Sequence, residues 1–147
     1  MGPAGGLTGR TPVELDLEAG RYSVCRLEPG SAWPTPRSGV SVYSVTRTPD
    51  EISVVCGEGG EPPGSRVEPG WRIFRIAGPI AFDLVGVVAS VAVPLAGAQI
   101  AVFVVSTYDT DLVLVKDGDA DRAVDTLTAA GHRVSISPGR PPDGPEG

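Results

Sequence analysis

The chain has 147 residues, 41% of them hydrophobic, and 18 acidic against 12 basic side chains give a formal net charge of −6. That length bounds about one domain, or two very small ones sharing a core. The arginines are scattered and Lys116 is the single lysine, which argues against a nucleic-acid surface, and no apolar run reaches the roughly 18 to 20 residues of a membrane span.

The first residues, MGPAGGLTGR, have no charged region followed by an apolar one, so no signal peptide is expected and the cytoplasm is the expected location. Residues 1–11 and 138–147 are rich in Gly and Pro and read as disordered tails. Val13 to Leu17 alternates with period two and reads as a strand, as does Tyr22 to Leu27. Ser31 to Gly39 holds two prolines and no helical stripe, so it reads as a loop, with Trp33 as a lid over the core. Strands are expected at Val40 to Val45 and Ile52 to Cys56, around a polar corner from Thr46 to Glu51. Cys25 and Cys56 are too few and too far apart in sequence for a metal motif, and read as two small buried thiols.

Trp71 to Ala77 alternates large apolar residues with Arg, as a strand with one buried face does, and Gly78-Pro79 ends it. A helix is expected from about Asp83 to Ala96, with Leu84, Val87, Val88, Val91 and Leu95 along one stripe and Asp83 as N-cap or first-turn acid. Pro94 should kink or shorten it. Val102 to Lys116 then reads as two antiparallel strands around a polar corner, Ser106-Thr107-Tyr108-Asp109-Thr110-Asp111. Asp117-Gly118-Asp119 imitates the start of a calcium loop, but Arg122 and Thr128 stand where that loop needs Gly and Glu. These acids instead suit the start of a second helix, Ala120 to Ala130, ended by Gly131. His132 follows it, where a positive charge would favour the helix dipole, and Arg133 to Ile136 reads as a last strand.

The order strand, helix, strand, strand, helix, strand is that of an α+β, ferredoxin-like antiparallel sheet with both helices on one face. The first half echoes the second: VYSVTRTPDEISVV lies against FVVSTYDTDLVLV, and RYSVCRL against WRIFRIA. Two tandem repeats are therefore expected, residues 12–66 with helices reduced to loops and residues 67–137 complete.

These motifs, in this order, resemble the ACT-domain proteins of the CASTOR type, which are related to cytosolic arginine sensors and to the regulatory domains of aspartate kinases. GPIAFDLVGVVASVAVPLA, STYDTDLVLV and SVTRTPDEISVV carry the likeness, which covers about Leu15 to Val134. The resemblance implies a non-catalytic regulatory domain that binds an amino acid, needs no cofactor, forms a homodimer and signals to a protein partner that the sequence does not name. It implies a ligand among three segments: Asp83, Gly86 and Val87 at the helix entry; Ser106, Thr107, Tyr108, Asp109 and Asp111 at the corner; Ser44, Val45 and Thr46 in the first repeat.

The chemistry of those residues agrees. Free N–H groups at a helix start attract a carboxylate, a carboxylate such as Asp111 holds an ammonium or guanidinium group, and Gly86 admits a ligand close to the backbone. Leu84 stands where the arginine sensors carry a second carboxylate, so a neutral or apolar amino acid suits the site at least as well as arginine. The plainer reading is also consistent: Asp83 as an N-cap, Thr107 and Thr110 satisfying turn backbone, and Asp109 and Asp111 solvated. A ligand-free interaction module would then show a corner filled by its own side chains. No nucleophile–base pair or phosphate loop supports an enzyme.

Overall fold

A computed structural model describes residues 11–37, 41–78 and 86–137. The two tails expected to be disordered fall outside those residues, save Thr11, and so does Asp83 with Leu84. The chain forms two compact units, one from residues up to Ala19 together with Arg72–Pro138, the other centred on Gly20–Trp71.

The larger unit carries the ferredoxin-like α+β layout. Its strands are β1 (Glu14–Leu17), the end of β5 (Arg66–Ile76), β6 (Phe103–Ser106), β7 (Asp111–Lys116) and β8 (Arg133–Ile136); its helices are α1 (Val87–Gly97) and α2 (Ala120–Ala129). β6 pairs with β7 and β7 with β5, while β1 runs antiparallel to β5 and parallel to β8. Glu14–Leu17 thus differs from its expected place in the first repeat. It is inserted between β5 and β8, and its parallel pairing with β8 makes the sheet mixed rather than wholly antiparallel. Leu15 and Leu17 explain the insertion, because they share one core with Phe74, Ile76, Val113 and Val115. Val87, Val91 and Leu95 of α1 and Ala123 and Leu127 of α2 close the same core, so both helices cover one face of the sheet.

Helix α1 begins later than the apolar stripe suggested. Its N-cap is Gly86, at φ 84°, and the left-handed backbone there starts the helix four residues past Asp83. Pro94 does not shorten it; the helix continues to Gly97. A proline lacks the N–H that would bond the carbonyl four residues back, here Ser90. That carbonyl instead meets His132 Nε2 at 2.7 Å, while His132 Nδ1 accepts the N–H of Val13 at 3.1 Å. These partners require a neutral ring with its proton on Nε2. His132 is therefore a buried link between α1 and the approach to β1, rather than an exposed charge on the dipole of α2.

The acids before α2 form a single 3-10 turn, Asp117–Asp119. Asp117 pairs with Arg72 and Asp119 with Arg122, which accounts for their charge without a metal. Glu18, beside Arg75 at 3.0 Å, has its carboxyl pushed up by burial, against the opposing pull of that guanidinium.

The smaller unit is an antiparallel array in which β4 (Ile52–Gly57) lies between β3 (Ser44–Arg47) and β2 (Tyr22–Leu27), and β2 also pairs with the start of β5. No helix occurs among its described residues. β3 is shifted along the chain from the expected strand at Val40 to Val45, of which Val40 lies outside the described residues: it begins at Ser44, opposite Val55, and runs on to Arg47, whose pairing with Ile52 confines the turn to Thr48–Glu51. β5 starts earlier than Trp71; Pro69 and Gly70 fall within it where its register with β2 shifts between Tyr22 and Val24.

Cys25 and Cys56 pack with Leu27, Ile52 and Val54, their sulfurs 4.0 Å apart. Burial pushes the Cys56 thiol up to about 12, with the neighbouring Cys25 adding to it. Trp33 is 58% exposed, so it is not the lid expected of it; Pro34 beside it is buried instead.

Candidate functional site

The polar corner closes the β6–β7 hairpin. The last rung of the ladder is Ser106 opposite Asp111, leaving Thr107, Tyr108, Asp109 and Thr110 as the turn. Backbone closure comes from Thr107 N–H donating to the Thr110 carbonyl at 2.8 Å. The Thr107 hydroxyl donates to the same carbonyl at 3.0 Å and accepts from Thr110 N–H at 3.1 Å, the local bonding that favours Thr in turns. Ser106 Oγ donates to Asp111 Oδ1 at 2.6 Å. Thr107, Thr110 and Ser106 thus serve the corner itself.

Acceptor capacity remains on the carboxylates. Among the described residues no arginine or lysine pairs with Asp109 or Asp111. Asp109 is exposed, Asp111 is half-buried, and Tyr108 is 79% exposed. An ionised carboxylate with one oxygen steadied by a hydroxyl is an oriented acceptor for an ammonium or guanidinium group.

The corner is tied to the end of β5. Thr110 Oγ1 donates to the Ile76 carbonyl, and a Cβ on Gly78 would stand only 2.7 Å from the Asp109 carbonyl oxygen. The backbones therefore meet where β5 hands the chain on toward α1. Sequence reasoning named neither Gly78 nor Thr110 as a site residue, taking Gly78-Pro79 only as a strand end; the Thr-x-x-Thr turn was the available signal for Thr110.

At the helix start, Gly86 is the N-cap, no side chain caps α1, and its first turn holds no acid. The Val87 side chain is buried in the core, which leaves only its backbone for a ligand. Ser44, Val45 and Thr46 lie in β3 of the smaller unit, a strand that takes in Thr46, expected in the corner; Val45 packs against the cluster of Cys25, Leu27, Ile52, Val54 and Cys56, and Thr46 is exposed. Among the described residues no three His, Cys, Asp or Glu side chains converge as metal ligands, and no helix is long and apolar enough to cross a membrane.

Residues 66–129 match the family model of the ACT domain, and residues 20–62 match a model of an N-terminal domain. The chain is 30% identical over 102 residues to the cytosolic arginine sensor for mTORC1 subunit 1 of Bos taurus, covering 62% of this chain and 31% of that protein. It thus spans about a third of that relative's length. A structural-genomics protein from Agobacterium tumefaciens superposes with a TM-score of 0.81 at 39% identity, covering 89% of this chain and 98% of its own. The regulatory subunit of aspartate kinase from Thermus thermophilus shares the fold at a TM-score of 0.57 and 11% identity, with 82% and 99% covered.

Proposed function

Because this chain is an ACT-domain protein of the CASTOR type, we propose that it is a non-catalytic regulatory protein that binds an amino acid at the β6–β7 corner. The observation that carries the reading is a pair of carboxylates, Asp109 and Asp111, without a cationic partner among the described residues, on a corner tied to the strand that leads to α1. An amino acid has an ammonium for such carboxylates and a carboxylate for the uncapped N–H groups after Gly86. Asp111 is the residue we assign to the ammonium, with Ser106 orienting it, and Tyr108 and Asp109 are its flanking contacts. The relative's name supports arginine as one ligand to try first. Cytoplasmic location, a homodimer and a protein partner that reads the bound state belong to the same proposal.

A second reading, an interaction module without a ligand, is favoured by one observation: the corner already bonds its own groups, Ser106 to Asp111 and Thr107 to Thr110.

A melting screen against the twenty amino acids separates the two readings. A ligand that binds only the folded state at about 100 times its dissociation constant adds ~2.7 kcal/mol. One amino acid that raises the melting temperature, with the rise abolished in a folded Asp111→Ala variant, is the expected result. No shift with any amino acid would defeat the ligand-binding reading.

A further inference from the structure

We propose that Gly78 and Thr110 are positioning residues that set the corner against the end of β5, so that the carboxylates are aimed by this seat rather than by the hairpin alone. The inference rests on the corner being the ligand site, but its structural part can be tested without a ligand.

The hairpin ladder ends at the pair Ser106–Asp111, and beyond that rung β6 and β7 hold the turn only through its own bonds. A four-residue turn on such a ladder has freedom to swing about its last rung. Two contacts remove it. The Thr110 hydroxyl donates to the Ile76 carbonyl, a group outside the hairpin. At Gly78 the chain passes so near the turn that any Cβ would fall 2.7 Å from Asp109 O and 3.3 Å from Thr110 Cβ. The first neighbour is a backbone oxygen with no rotamer to yield, so any side chain at position 78 must move the turn or the strand end.

The test is amide hydrogen exchange by NMR on the full chain, comparing wild type with Gly78→Ala and Thr110→Val. The seat predicts that exchange at Thr107 N–H, whose acceptor is Thr110 O, speeds up on the order of tenfold in both variants. Core amides such as those of Val113 and Val115 should keep their protection. Thr110→Val removes only the hydroxyl while preserving shape, so it decides the matter if Gly78→Ala fails to fold. Unchanged exchange at Thr107 in the folded variants would overturn the inference. In the melting screen, Gly78→Ala should need on the order of tenfold more of whichever amino acid shifts the wild type. The two readings fail separately: the wild-type melt tests ligand binding, and Thr107 exchange tests the seat.

Discussion

The two hairpins of this chain echo each other in sequence and close with the same device, yet they are anchored differently. In the first, Thr48 N–H donates to the Glu51 carbonyl at 3.0 Å and Asp50 N–H to the Thr48 hydroxyl at 3.1 Å. In the second, Thr107 N–H donates to the Thr110 carbonyl, and Thr110 N–H to the Thr107 hydroxyl. The first turn is then held from outside by a long side chain, Arg26, whose guanidinium donates to the Asp50 carbonyl at 2.9 Å. The second rests on backbone, through Thr110 and the bare Gly78. A flexible, half-exposed arginine tolerates displacement, whereas a backbone contact does not. A turn built to hold ligand groups at fixed positions needs the second kind of anchor.

The difference extends to the cores beneath the hairpins, and the largest expected effect lies there. Phe74 is fully buried where β5 approaches the corner, so Phe74→Ala should cost ~3–5 kcal/mol, measured by urea unfolding. A loss below about 1 kcal/mol would mean that the core of the larger unit does not support its hairpin as described.

The smaller unit should show its weakness at alkaline pH instead. The folded state holds the Cys56 thiol at about 12, above its ordinary value of 9.0, so the neutral form is favoured on folding. Its stabilising contribution is complete below about pH 9 and is lost as pH rises toward 12, because the unfolded chain releases its proton first. Stability followed across that window should fall, and Cys56→Ala should flatten the fall. The same burial predicts that neither thiol reacts with a thiol reagent at pH 8 until the chain unfolds.

Smallest of all are the anchors. Thr110→Val should cost about 1 kcal/mol by leaving the part-buried Ile76 carbonyl without its hydroxyl, and Arg26→Ala only about 0.5 kcal/mol, since its contacts are exposed. Equal costs in paired melts would erase the distinction between the two turns.

The sequence carried the hairpins well, because alternation and Thr-rich turns are local signals, and the apolar stripe of Val87, Val91 and Leu95 located α1. It misled where a distant group decides. Asp83 resembles a helix start, but a left-handed glycine sets it. Pro94 resembles a helix stop, but the carbonyl it frees is met by His132, which lies 42 residues beyond that carbonyl. Thr46 and Arg47 read as the start of a corner, and their pairing with Ser53 and Ile52 makes them strand. Asp109 and Asp111 were legible as site candidates through the family resemblance, with which their chemistry agrees; Gly78 was not, since a missing side chain leaves no sign of what approaches it.

The inserted strand also has a consequence for how the molecule is made. Glu14–Leu17 finds its parallel partner only in Arg133–Ile136, among the last described residues. Synthesis proceeds from the N-terminus, so that short strand must wait, unpaired on one edge, until Arg133–Ile136 has left the ribosome. Closing so long a loop is slow, and an unsatisfied edge invites wrong partners during the delay. A fragment beginning at Arg66, natural as it looks from the family match, would lack the strand that fills the sheet between β5 and β8.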